Sequence, residues 1–279
     1  MLEIIKAILF GIIEGITEWL PVSSTGHMIL LEEFVKLDVS KEFWDLFLVV
    51  IQLGAILASV ILFWNKIWPF QMPDKAKGKS IFKKDTWMLL FKVGVACIPG
   101  VFFAVFGIDD ICDKYFYNSV GVSVALIVFG IVFILIEIWN KKRVPKLSDL
   151  GEMTFKLALL IGIFQLLAAA FPGTSRSGAT IIGALILGAS RTVASEFTFI
   201  LAIPAMLGAS VLELKDFLEA GIEMGGMEIG ILISGILVAF VVSVVVIKFL
   251  MGYIKKHDFK VFGWYRIALG ILVLLYFLF

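Results

Sequence analysis

The stretch Ile229-Gly230-Ile231-Leu232-Ile233-Ser234-Gly235-Ile236-Leu237-Val238-Ala239-Phe240-Val241-Val242-Ser243-Val244-Val245-Val246-Ile247 holds no charged residue and nothing more polar than two serines. It is about as long as the ~20 residues a helix needs to cross the hydrocarbon of a bilayer. The chain around it is of the same kind: 61% of its 279 residues are hydrophobic and 17% charged, with a mean hydropathy of +1.04. An ordinary soluble domain is about 45–50% apolar and about 25% charged, so no polar shell is left for a soluble core of this size. The sequence therefore reads as an all-α integral membrane protein.

Five more apolar segments have spanning length: Phe47 to Trp64, Trp87 to Phe106, Val120 to Trp139, Val193 to Leu212 and Phe262 to Phe279. Two others, Leu2 to Leu20 and Phe155 to Phe171, run into a proline, small polar residues and a second short apolar stretch. These two predict re-entrant hairpins beside about six full transmembrane helices. The loops sort by charge. Lys66, Lys75, Lys77, Lys79, Lys83 and Lys84 mark one loop as cytoplasmic, as do Lys141, Lys142, Arg143 and Lys146, and then Lys255, Lys256 and Lys260. The loops with Asp109, Asp110 and Asp113, and with Glu213, Asp216, Glu219 and Glu223, are acidic and belong outside. This alternation holds if the segment from Phe155 to Gly188 and the next span together cross once, although two true crossings have the same parity.

The formal charge of +1 carries no clustered basic excess, so no nucleic-acid partner is expected. Cys97 and Cys112 form no CxxC or Cys/His cluster and read as small buried hydrophobes. The N-terminal apolar stretch is interrupted by Glu14 and Glu18 and lacks a small-residue cleavage pattern, so it is expected to be retained.

Sliding the sequence on itself by 151 places Gly11-Ile12-Ile13-Glu14 on Gly162-Ile163-Phe164-Gln165, Pro21 on Pro172 and Ser23-Ser24 on Thr174-Ser175. Three residues further, Glu42-Phe43 falls on Glu196-Phe197 and Leu53-Gly54-Ala55 on Leu207-Gly208-Ala209. The single domain 1–279 thus reads as two related halves, about 1–140 and 151–279. The charge count has them entering from opposite faces, an inverted-topology repeat. Such repeats place a polar site between broken helices at the interface of the halves.

The first block runs Glu14-Gly15-Ile16-Thr17-Glu18-Trp19-Leu20-Pro21-Val22-Ser23-Ser24-Thr25-Gly26-His27. On a helix Glu14 and Glu18 share a face, and carboxylates in an apolar segment belong at a polar cavity, unless the helix is merely interfacial. The second block, Pro172-Gly173-Thr174-Ser175-Arg176-Ser177-Gly178-Ala179-Thr180, offers small residues, a helix start and a guanidinium fork, the makings of an oxyanion site. The alternative is an Arg176 that caps a helix or pairs with Glu14 or Glu18. Acids and an anion site together suit a phosphate ester or diphosphate held with a divalent cation, Mg²⁺ or Ca²⁺, on Glu14 and Glu18. His27 is the histidine available for acid, base or nucleophilic work, unless it only bonds the turn. Spacing does not choose between Ser24 and His27 as nucleophile.

These paired blocks resemble the bacterial undecaprenyl-diphosphatase family, also called bacitracin-resistance proteins, over essentially the full length. The resemblance implies a multi-pass plasma-membrane enzyme that removes the terminal phosphate of undecaprenyl diphosphate and so regenerates the lipid carrier for peptidoglycan synthesis. It also implies a site open to the outer face, a divalent cation, and bacitracin resistance. By position, Glu14, Glu18, Ser24, His27 and Arg176 would be catalytic. Ser23, Thr25, Gly173, Thr174, Ser175, Ser177 and Thr180 would bind substrate. The spacer from Gln165 to Pro172 looks one residue long for the family, which puts the placement of Gln165 in doubt. The type-2 phosphatidic-acid phosphatases share a Ser-Gly-His turn, but the histidine expected after Arg176 and the basic block upstream are missing. A transporter or flippase of lipid phosphate is the competing function, since inverted repeats and broken helices also build transporters. The reading allows a homodimer.

Overall fold

A computed structural model describes residues 1–73, 81–221 and 224–278. Lys75, Lys77, Lys79 and Glu223, used above for orientation, lie outside the described residues, as do the side chains of Asp109, Asp110 and Asp113. Among the described residues the architecture is all helical, with no strand beyond two isolated bridges.

A helix of 16 residues, a tight turn and a helix of 11 occur twice in the chain. The first such pair is α1 (Leu2–Thr17) and α2 (Ser24–Phe34). Six helices of spanning length and hydropathy also occur: α3 (Lys41–Leu62), α5 (Lys84–Val105), α7 (Ser119–Asn140), α10 (Arg191–Glu219), α11 (Gly226–Tyr253) and α12 (Lys260–Leu278). The short α4 (Trp64–Ile67) and α6 (Ile108–Phe116) lie between spans. The second such pair is α8 (Phe155–Ala170) and α9 (Arg176–Ile186). At 16 and 11 residues, the members of both pairs fall short of the ~20 needed to span.

The six long helices begin before the apolar runs that announce them, and α3, α7 and α10 do so behind a side-chain cap. Ser40 accepts from the Phe43 amide and Ser190 from the Val193 amide, each satisfying an amide that the helix leaves free. Val101, Phe102, Leu237, Val241 and Val245 are exposed on the outer faces of α5 and α11. In a bilayer such side chains face lipid, so burial against lipid rather than a protein core accounts for them.

With lipid outside, helices associate through close packing rather than through hydrophobic expulsion. A Cβ at Gly130 on α7 would stand 2.8 Å from the Gly263 carbonyl on α12, and one at Gly263 would stand 2.8 Å from the Gly130 carbonyl. The two helices therefore cross backbone to backbone. Gly11 of α1 packs on the Gly235 carbonyl of α11, while Gly162 of α8 packs on the Ala96 carbonyl of α5. The main pairings are α7 on α12, α1 on α11, α3 on α11, α5 on α8 and α3 on α10. Exchanging the segments in chain order maps α1 on α11 onto α8 on α5 and maps α3 on α10 and α7 on α12 onto themselves, but the broad α3–α11 contact has only a minor counterpart in α5 on α10. The correspondence is looser further on: Gly54 abuts the Ile236 carbonyl of α11, whereas its counterpart Gly208 has open space around it.

Candidate active site

The two turns that follow α1 and α8 face one another and are built alike. Ser23 and Ser175 are the N-caps of α2 and α9, and they are the only non-glycine residues with positive φ among the described residues, at 73° and 72°. The Ser23 hydroxyl accepts from the Gly26 amide at 3.3 Å and the Ser175 hydroxyl from the Gly178 amide at 3.2 Å. This cap geometry sets the register. Ser23 corresponds to Ser175, one residue beyond the sequence match of Ser23-Ser24 with Thr174-Ser175. The second turn carries an extra residue after its proline and takes it up at Gly173, whose φ of 95° suits a residue without a Cβ.

In this register Ser24 and Arg176 are equivalent, each the first residue of its helix, and both reach the same carboxylate. The Ser24 hydroxyl donates to Glu18 Oε2 at 2.9 Å and the Arg176 guanidinium donates to Glu18 Oε1 at 2.7 Å. The Ser177 hydroxyl donates to the Glu18 carbonyl at 3.1 Å and lies 3.1 Å from the Ser175 hydroxyl. The Arg176–Glu18 ion pair joins residues 158 apart in sequence, so the blocks read separately from the sequence form one cluster. The side chains of Glu18 and Arg176 are 10% and 18% accessible, enough desolvation for the charge-assisted bonds to hold firmly.

The remaining predicted residues divide by depth. Ser24, Thr25, His27, Ser175 and Arg176 are half-buried and line the accessible side. Ser23, Gly173, Thr174, Ser177 and Thr180 are buried beneath. Thr180 donates to the Arg176 carbonyl at 2.9 Å and accepts from Thr198 of α10 at 2.9 Å, which ties α9 to α10 behind the site. The Thr174 hydroxyl is buried without a partner. Glu14, 2% exposed, sits one turn before Glu18, and its Oε1 is likewise buried and unpartnered. At the matching position of α8, Gln165 Oε1 is also buried and unpartnered.

His27 is fixed at both nitrogens. Nδ1 is 2.7 Å from the Ser23 carbonyl, which can only accept, so Nδ1 carries the proton in the neutral ring. Nε2 then accepts from the Tyr265 hydroxyl of α12 at 2.7 Å. Beside Tyr265, Arg266 is fully buried and donates to the carbonyls of Pro21 at 3.3 Å and Gly173 at 2.9 Å. Sequence reasoning missed Tyr265 and Arg266. A lone arginine inside an apolar span was the available signal. Cys97 and Cys112 are free and only half-buried, more exposed than expected.

Among the described residues no group of three His, Cys, Asp or Glu side chains could hold a metal ion by itself. The spare Glu14 oxygen, one turn from Glu18, fits a cation whose other ligands are substrate phosphates and water, the usual manner of Mg²⁺ binding.

Residues 7–272 match the family model described as bacitracin resistance protein BacA. The chain is 57% identical to an undecaprenyl-diphosphatase of Enterococcus faecalis over 276 residues, covering 98% of this chain and 97% of the relative. It is 58% identical to one of Desulfitobacterium hafniense over 279 residues, with 99% and 97% coverage. With undecaprenyl-diphosphatase 1 of Clostridium acetobutylicum it shares 56% over 277 residues, with 99% and 98% coverage. Six candidate spans, two capped turns meeting at one carboxylate and similarity along nearly the whole length lead to one conclusion: this multi-pass membrane protein belongs to the bacitracin resistance protein BacA family.

Proposed function

We propose that the chain hydrolyses undecaprenyl diphosphate to undecaprenyl phosphate and inorganic phosphate at the outer face of the bacterial plasma membrane, and so confers bacitracin resistance. The observation that carries this reading is the meeting of Ser24 and Arg176 on the two oxygens of Glu18. A hydroxyl bonded to a carboxylate is a nucleophile with its base in place, and the arginine supplies the cation that a phosphoryl group needs.

In the proposed reaction, Glu18 takes the Ser24 proton as Oγ attacks the terminal phosphorus, the anhydride bond breaks, and Glu18 passes that proton to the departing undecaprenyl phosphate while Arg176 exchanges Glu18 for the phosphoryl oxygens. Glu18, ionised again, deprotonates a water that attacks the phosphoserine, and returns the proton to Ser24 Oγ as its P–O bond breaks and phosphate leaves. Ser24 is favoured over His27 because both imidazole nitrogens are already engaged, by the Ser23 carbonyl and the Tyr265 hydroxyl. With its proton on Nδ1, His27 offers only the Nε2 lone pair, which becomes free to accept a proton when Tyr265 yields its bond. The amides at the starts of α2 and α9 suit the remaining phosphate charge. A divalent cation, Mg²⁺ or Ca²⁺, held by Glu14 and Glu18, would neutralise charge on the diphosphate. The apolar surface beside the two turns suits the isoprenoid tail.

Two related halves in inverted orientation are proposed on the partial exchange symmetry of the helix pairings, which the α3–α11 contact breaks, and on the twin caps. The same features favour a second reading, a lipid-phosphate transporter. Phosphate release from farnesyl and undecaprenyl diphosphate by detergent-purified protein separates them. Release that depends on Mg²⁺ or Ca²⁺, stops with chelator and is lost in Glu18→Gln supports the phosphatase. A folded protein that releases none but carries lipid phosphate across sealed vesicles overturns it.

A further inference from the structure

Arg266 stands out among the charged residues. It is 0% exposed, sits in the middle of α12 and pairs with no carboxylate among the described residues. Burying a cation without a counter-charge is costly, and such a residue in a membrane span is retained for a use. Its bonds indicate that use. Nη1 donates to the Pro21 carbonyl and Nη2 to the Gly173 carbonyl, 245 and 93 residues away in sequence. Each carbonyl lies two residues before a capping serine, Ser23 in one turn and Ser175 in the other. One guanidinium thus holds the corresponding point of both turns, and a Cβ at Gly178, in the first turn of α9, would stand 3.2 Å from its Nη1.

We infer that Arg266 is a positioning residue that sets the spacing of the two turns, so that Ser24 and Arg176 meet the same phosphoryl group. The planar fork is essential to this role. A lysine has a single nitrogen at its tip and cannot serve two carbonyls in the same geometry. This inference rests on the proposed site, but it can be tested by binding as well as by turnover.

The test uses full-length wild type, Arg266→Lys and Arg266→Met, each measured for thermal midpoint, phosphate release from farnesyl diphosphate and affinity for methylenediphosphonate, a diphosphate analogue that is not hydrolysed. Removing an unpaired buried charge offsets the lost hydrogen bonds, so Arg266→Met should melt close to wild type. Both variants should lose about 10²-fold in turnover, the cost of misplacing reacting groups by about an ångström, and bind the analogue at least about tenfold more weakly. Wild-type turnover and affinity in Arg266→Lys would overturn the inference, because a point charge would then suffice. Loss of activity only in step with a collapsed thermal midpoint in both variants would overturn it too, leaving Arg266 a structural staple. Should wild type bind the analogue but release no phosphate, the phosphatase reading falls and the affinities of the variants still decide the role of Arg266.

Discussion

The turn after α1 and the turn after α8 end in the same cap and carry different chemistry. Each ends in a serine of positive φ that caps an 11-residue helix. In cap register Ser24 faces Arg176, and His27 faces Ala179, which is fully buried. The first turn brings a hydroxyl, an imidazole and the carboxylate of Glu18; the second brings the cation. Two turns capped alike therefore make an asymmetric site, as a reaction between a nucleophile and an anionic group requires. The cap geometry recurs in both turns, and the side chains differ.

The largest test of this division is at the first helical residue of each turn. Ser24→Ala should reduce phosphate release by about 10⁴-fold or more, since nucleophile removal abolishes the covalent route. Arg176→Lys keeps the charge but loses the fork and should lose about 10²- to 10³-fold, the usual loss for one donor to a developing anion. If Arg176→Lys were as harmful as Ser24→Ala, the division of roles would be wrong. His27→Ala is expected to lose about 10²-fold, within the range for one acid–base group. Tyr265→Phe should lose far less and change the pH–rate profile, since it removes only the hydroxyl that holds Nε2; a profile identical to wild type would show that this bond is idle. The smallest effect sharpens the shared backbone. At Ser23 and Ser175, Ala should cost about 1 kcal/mol for the lost cap, while Gly, which relieves the Cβ strain at positive φ, should cost only a few tenths. Ala and Gly variants with equal thermal midpoints would contradict the cap account.

Much of this was legible from the sequence because it is local. Apolar length gave the six spans, and the prolines with small polar residues gave both turns. Glu18 and Arg176 each stood out as charges in apolar surroundings, and even their pairing was an open alternative. The one-residue offset between Ser23 and Ser175 was not legible, because a helix cap is fixed by φ and by the amide it accepts, not by identity with a neighbouring Thr-Ser. The part played by α12 was hidden for a different reason. Tyr265 and Arg266 touch partners 238 and 245 residues away, and only packing of α12 against α7 brings them there. The buried Glu137, pinned by Arg191 of α10 and by the Phe259 amide, is another such long-range tie. It fastens α7 to α10 and to the start of α12.

The most direct measurement is rapid acid quench of the protein during turnover of farnesyl diphosphate labelled in its terminal phosphate, followed by location of any covalent label. A phosphoserine at residue 24, acid-stable and absent from Ser24→Ala, is the predicted result. An acid-labile label on His27, with turnover retained in Ser24→Ala, would contradict the account.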